Sequence, residues 1–134
     1  MRLGETYLLR AEARFRQNNL TGAADDINVL RDRAFKTARV QNNNPNLGKV
    51  SAADITIDFI LDERARELIA EENRRMTLVR TGKLKDRIAK NGDASPANKV
   101  ITGFKDYNAL LPLPLNDIRL NTGAELKQNP GYTN

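Results

Sequence analysis

Among its 134 residues the chain has no cysteine, no histidine and no tryptophan. Without cysteine there is no disulfide and no thiolate nucleophile. Without cysteine and histidine together there is no zinc site of the usual ligand types and no Ser-His-Asp relay. The missing cysteine does not mark a compartment, because cytosolic and exported bacterial proteins can both lack it. No apolar run approaches the roughly 18 residues that a membrane span needs. Neither G-x-x-x-x-G-K-[ST] nor G-x-G-x-x-G occurs, so a nucleotide phosphate cradle has no support. The chain opens directly on a helical pattern, with no charged leader, apolar h-region or small-residue cleavage site. That leaves two expectations, a cytosolic protein or a piece of a longer chain.

What is present is charge, with 22 Lys and Arg against 17 Asp and Glu for a formal net charge of +5. The surplus is local. Residues 51–82 carry five basic and seven acidic side chains, whereas 83–105 carry six basic and two acidic ones. With Phe104 the lone aromatic in that basic stretch, bases and rings are not interleaved as single-strand binders require. The stretch reads as a solvated face, and no nucleic-acid partner is expected.

The pattern along the chain predicts an all-α protein of about four helices. Leu3, Tyr7, Leu8, Ala11 and Phe15 recur at three- and four-residue spacing, and Asn18-Asn19-Leu20 ends that helix. Thr21 is the expected N-cap of a second helix with Ala23, Ala24, Ile27, Leu30 and Ala34 on its apolar stripe. The pair reads as one tetratricopeptide-like hairpin over 3–38, its small residues letting two backbones approach. One such unit cannot bury both faces, and about three repeats are normally needed.

Residues 39–53 are rich in Asn, Pro and Gly and read as a loop, facing either a ligand or solvent. Ser51 and Asp54 fit a capping box, with Thr56 as a competing helix start. One long helix is then expected to Gly82, carrying Ile57, Ile60, Leu61, Ala65, Leu68, Ile69 and Met76 on one face and Asp62/Arg66 and Glu71/Arg75 pairs at i,i+4. A shorter helix follows over Leu84–Lys90, completing a helical pair over 55–91. Residues 92–134 lose periodicity. Leu111-Pro112-Leu113-Pro114 must be extended, Asn116-Asp117 suits one short helical turn through Ile118 and Leu120, and Pro130-Gly131 suits a type II turn. So many leucines predict a strap packed across the helices, and 1–134 is expected to be a single domain.

The carboxylates Asp62, Glu63, Glu67, Glu71 and Glu72 lie about one helical turn apart, as a glycosidase pair would. Arg64, Arg66, Arg74 and Arg75 are interleaved among them, which favours ionised surface pairs over a proton-donating acid. No catalytic residue, no metal ligand and no cofactor is therefore expected. Sugar-binding sites favour flat aromatic faces, and the aromatics are Tyr7, Phe15, Phe35, Phe59, Phe104, Tyr107 and Tyr132. Tyr7, Phe15 and Phe59 sit at core spacing, while Tyr107 and Tyr132 lie in irregular segments. The Asn42-Asn43-Asn44 run suits sugar hydroxyls as well as plain loop. The residues themselves single out no ligand-binding position.

Four stretches in succession carry a resemblance. They are Tyr-Leu-Leu-Arg-Ala-Glu-Ala at 7–13 with Ala-Asp-Asp-Ile-Asn-Val-Leu-Arg at 24–31; Ile-Leu-Asp-Glu-Arg-Ala-Arg-Glu-Leu at 60–68; Glu71 through Asn73-Arg74-Arg75-Met76 to Leu84; and Leu111-Pro112-Leu113-Pro114 with Ile118, Asn121 and Leu126-Lys127-Gln128-Asn129-Pro130-Gly131-Tyr132. In order and spacing they resemble the C-terminal part of the SusD/RagB family of outer-membrane nutrient-binding lipoproteins. Many members have Gly-His-Arg-Trp-Phe-Asp where this chain has Glu72-Asn73-Arg74-Arg75-Met76-Thr77.

The resemblance implies tetratricopeptide-like hairpins of the α-α superhelix type, long irregular loops and an extended C-terminal strap, and it implies a C-terminal fragment of a longer protein. It further implies the scaffold segment of a non-catalytic cell-surface protein that binds a nutrient, a glycan above all, mainly through regions outside this segment. The implied partner is a SusC-like TonB-dependent outer-membrane transporter, and the implied location is the cell-surface side of the outer membrane through an N-terminal lipid anchor. The hairpin taken alone equally suits a helical-repeat adaptor that binds a protein partner.

Overall fold

A computed structural model describes residues 2–92 and 103–133. The described residues are helical and contain no strand. The helices are α1 (Leu3–Arg16), α2 (Leu20–Ala34), α3 (Lys36–Gln41), α4 (Ile57–Glu67), α5 (Arg74–Arg80), α6 (Leu84–Gly92) and α7 (Leu115–Leu120), with single 3-10 turns at Ala52–Asp54 and Asp106–Ala109. They fall into two compact units, Met1–Glu72 and Asn73–Asn134.

In the first unit α1 and α2 form the tetratricopeptide-like hairpin. Ala11, Ala23 and Ala24 are buried at its seam together with Ile27, and Ile55 and Ile60 complete this core. Phe15, Leu20, Val50 and Phe59 pack against its edge. Leu8, Leu30 and Leu68 form a second cluster against Tyr7. Alanine at the seam is what lets two helical backbones close on each other.

Asparagine does the work of glycine at two helix ends. Asn18 takes φ 60° after α1, and the amides of Asn18 and Asn19 bond back to the carbonyls of Phe15 and Arg14. Asn43 takes φ 44° after α3, and Asn43 and Asn44 bond back to Val40 and Arg39. Both are Schellman closures, in which a short polar side chain tolerates the left-handed conformation. The N-cap of α2 is Asn19, whose side chain accepts from the Gly22 amide at 2.9 Å, so α2 starts earlier than the Thr21 cap would place it. Ala34 at its far end is exposed.

Helix boundaries after residue 50 follow local chemistry with one large exception. Asp54 accepts from both the amide and the hydroxyl of Ser51, at 2.7 and 2.8 Å, and closes the first 3-10 turn. Thr56 then caps α4 through the Phe59 amide at 3.0 Å. The exception is the long helix expected to Gly82, which breaks after Glu67. Ala70 takes φ 61°, the amides of Glu71 and Glu72 both bond to the Leu68 carbonyl, and Asn73 begins α5 by accepting from the Met76 amide at 3.3 Å. The break permits a pairing that a straight continuous helix would disfavour. Eight residues of helix would separate Arg64 from Glu72 by about 12 Å of rise, yet their side chains meet at 2.7 Å. With the helix broken, Ala65, Ile69 and Met76 lie exposed and the expected Glu71/Arg75 pair does not form.

In the second unit α5 ends in another Schellman closure at Gly82, with Lys83 bonded to Leu78 and Gly82 to Val79. Helix α6 runs on to Gly92, past the expected stop at Lys90. Among the described residues of this unit, Thr77 and Leu78 of α5 and Leu84 and Arg87 of α6 are buried. The Lys99 part of the basic stretch and the polar loop expected from Asp93 lie outside the described residues up to 102.

The C-terminal strap departs from expectation in how it is held. Leu110, Leu111, Leu115 and Leu120 are exposed, and Leu113 and Ile118 are half-buried. Hydrogen bonds fix the strap in place of burial. The Gln128 amide brackets Leu113, accepting from its N–H at 2.7 Å and donating to its carbonyl at 2.9 Å, as a neighbouring strand would. Asn129 donates to the Leu111 carbonyl at 2.7 Å, and the Tyr132 hydroxyl donates to the Leu110 carbonyl at 2.9 Å. The type II turn forms as expected, with Gly131 at φ 86° and the Tyr132 amide on the Asn129 carbonyl at 3.3 Å. A Cβ at Gly131 would sit 2.3 Å from the Tyr107 ring, which in turn meets Tyr132 edge-on at 5.2 Å between centroids.

Candidate functional site

The acidic series on α4 and just beyond it is built into ion pairs. Glu63 receives Arg31 of α2 at both oxygens, at 3.0 and 2.8 Å, and Arg66 at 2.6 Å. Burial pushes the Glu63 carboxyl up, but the hydrogen bonds from Arg31 and Arg66 outweigh it and hold the group below the usual carboxylate range. This is the opposite of what a general acid needs. Glu67 receives Arg33 at 2.6 and 2.8 Å and Arg2 at 3.3 Å. Glu71 pairs with Arg2 at 2.7 Å, and the buried Glu72 with Arg64. Asp62 also makes interactions. Arginine forks fit carboxylates two bonds at a time, so this series is a set of rivets between α1, α2 and α4.

The Asn-rich loop is stitched to α2 and α3 along its length. Asn28 brackets Val50, donating to its carbonyl at 2.9 Å and accepting from its amide at 3.0 Å. Arg31 donates to the Gly48 carbonyl at 2.8 Å and lies over the Phe59 ring. Arg39 donates to the Leu47 carbonyl at 2.8 Å and to Asp32 at 2.6 Å. Gly48 has φ 78°, and a Cβ there would meet the Phe35 ring at 2.7 Å, so the loop passes where only glycine fits. Of the Asn run, Asn42 donates to the Ala38 carbonyl, Asn43 closes α3, and Asn44 accepts from the Asn46 amide. All three serve the backbone.

Two residues that pattern alone did not single out organise the hairpin. Asp26 is 1 % exposed and takes Arg10 at 2.6–3.1 Å on two nitrogens and Arg14 at 2.9 Å. Its signal was available, since a carboxylate three residues after Ala23 and four before Leu30 falls inside an apolar stripe. Arg10 also lies 5.1 Å over the Tyr7 ring. Among the aromatics expected in irregular segments, Tyr132 packs and hydrogen-bonds, while Tyr107 is 41 % exposed.

No group of three or more His, Cys, Asp or Glu able to hold a metal occurs among the described residues. No described helix is long and apolar enough to cross a membrane. Each unit has an open cavity. One in the first unit, of about 340 Å³, is walled by Leu30, Phe35, Glu63 and Glu67 with Arg31 and Arg66, and there Glu63 already faces Arg31 and Arg66 while Glu67 faces Arg33 and Arg2. That of the second unit, of about 190 Å³, lies between α5, α6 and the second 3-10 turn and has Leu78, Leu84, Phe104 and Ala109 in its lining.

A helical hairpin with an arginine-locked acidic helix and a hydrogen-bonded C-terminal strap defines a helical scaffold of the tetratricopeptide-like class. The sequence profile of the SusD family matches residues 1–132, and the chain belongs to that family. It is 37 % identical to the Starch-binding protein SusD of Bacteroides thetaiotaomicron over 98 % of its own length, and 31 % identical to a SusD-like protein of Formosa agariphila over 90 %. In both cases it spans 21 % of the relative's length. No solved structure matches it significantly.

Proposed function

We propose that this chain is the scaffold segment of a non-catalytic, cell-surface nutrient-binding protein whose nutrient is a glycan. In this reading the protein works with a SusC-like TonB-dependent transporter and is held at the outer membrane by an N-terminal lipid anchor. The observation that carries the reading is the 37 % identity to a starch-binding protein across almost the whole chain. The arginine-riveted carboxylates support the non-catalytic half of it, because a general acid must keep a proton that Glu63 gives up early.

The test is calorimetric titration of the full-length protein that carries this segment with soluble starch, maltooligosaccharides and a panel of neutral and anionic glycans, with reducing ends assayed in parallel. Saturable binding to at least one glycan with no new reducing ends is expected. Turnover that disappears in Glu67→Gln or Glu71→Gln overturns the non-catalytic reading. Failure of every glycan to bind overturns the glycan reading, and stable capture of a protein ligand in its place favours the adaptor. Co-purification from outer membranes with a TonB-dependent transporter is expected, and its absence removes the transporter from the proposal.

A further inference from the structure

The chain between α4 and α5 runs against its own local preference. From Ile57 to Thr81 it has no glycine and no proline, and Leu68, Ala70, Glu71 and Glu72 are all strong helix formers. Ala70 nonetheless holds φ 61°, while every other left-handed position among the described residues is a glycine or an asparagine. A residue well suited to continuing a helix sits where the helix stops. The break also leaves Ile69 77 % and Met76 65 % exposed, two side chains that a continuous helix would set about two turns apart on one face.

The contacts that hold the break are few, and some have substitutes at hand. Arg64 Nε donates to Glu72 at 2.7 Å, but its Nη1 is buried with no hydrogen-bond partner, and its Nη2 has Glu5 at 3.8 Å as a second acid. Glu71 pairs with Arg2, and in a continuous helix it would meet Arg75 at i,i+4 with the acid first, the favourable order. Asn73 caps α5, a bond needed only because a helix starts there. We propose that residues 68–73 form a two-state element, broken as described above or helical and continuous from Ile57 to Arg80, with the Arg64–Glu72 pair as the lock on the broken state. Both states satisfy Glu71 and differ in what they expose, which is what makes such an element bistable. The proposal does not rest on the glycan reading, since it uses only backbone preference and these ion pairs.

Hydrogen exchange read by mass spectrometry on peptides spanning 66–76, in the full-length protein that carries this segment, tests it. In the broken state the amides of Ile69, Ala70 and Asn73 make no backbone hydrogen bond, whereas in the continuous helix each bonds to the carbonyl four residues back. Asn73→Ala removes an exposed cap and supplies a better helix former, and Glu72→Ala opens the lock. After correction for intrinsic rates, each should slow exchange at 69–73 by about twofold or more, and the two together by about tenfold. Ala70→Gly, which favours the left-handed turn, should reverse the slowing. Should Glu72→Ala fail to fold, Asn73→Ala with and without Ala70→Gly decides the matter alone. A lock with no competing helix behind it has the opposite signature, because losing it only frays the segment. Faster or unchanged exchange in Asn73→Ala, or a slowing that Ala70→Gly leaves in place, overturns the two-state element.

Discussion

Arg31 and Glu63 join α2 to α4 through a two-pronged ion pair, Nε to Oε1 at 3.0 Å and Nη2 to Oε2 at 2.8 Å. The same guanidinium reaches the Gly48 carbonyl, so one side chain ties two helices and the Asn-rich loop. Removing one partner of a well-enclosed pair strands the other, which costs about 3 kcal/mol. Arg31→Ala and Glu63→Gln should each lower stability by about that amount in denaturant unfolding of the protein. Arg31→Lys should not restore it, because an ammonium cannot span both carboxylate oxygens and the loop carbonyl together.

Acid should loosen the first unit. Glu63 has a folded-state pKa below its ordinary value, so its contribution is complete above the unfolded-state pKa and is lost as pH falls through the folded one. Thermal stability should stay level from neutrality down to about pH 5 and then decline through the carboxylate range. In Glu63→Gln that decline should be shallower, read as the difference in Tm between pH 7 and pH 3.

Ala70 at φ 61° holds a left-handed conformation without glycine's freedom or asparagine's local hydrogen bonding. That conformation costs an L-residue with a Cβ about 1–2 kcal/mol, of which glycine gives back part through its own entropy. Ala70→Gly should therefore raise stability by about 0.5–1 kcal/mol, measured as an increase in the unfolding midpoint.

The strap should answer to its hydrogen bonds and not to its leucines. Leu111 is 66 % exposed, so Leu111→Ala should change stability by about 0.5 kcal/mol or less. Gln128→Ala removes both bonds to the Leu113 backbone, and amide exchange at Leu113 should accelerate markedly while Leu78 in α5 stays protected.

Gly131→Ala should be the most damaging single change in the C-terminal turn. The added Cβ lands 2.3 Å from the Tyr107 ring, and φ 86° is strained for any side chain. A loss of about 2 kcal/mol or more, with loss of the Tyr107–Tyr132 ring contact in aromatic NMR signals, is expected.

Much of what depends on neighbours within a few positions was legible in the chain itself, although the Asn19 cap and the short helix Lys36–Gln41, equally local, were not. The period of Leu8, Ala11, Ala23 and Ile27 marks the hairpin, Ser51 with Asp54 and Thr56 mark competing starts, both of which the fold uses, and Pro130-Gly131 marks the turn, because helical spacing, caps and turns are closed by bonds of three to five residues. Tertiary structure decided what spans farther. The break after Glu67 brings Arg64 to Glu72, a pairing that helical periodicity, which favours a continuous Ile57–Gly82 helix, gives no means of seeing. The exposure of the strap leucines was equally hidden, since Gln128 holds Leu113 from 15 residues away and backbone hydrogen bonds there replace burial. Composition told that arginines would neutralise the acids of α4. Only the folded chain could choose Arg31, Arg33 and Arg2 as the partners, because those pairs are set by which helix faces which.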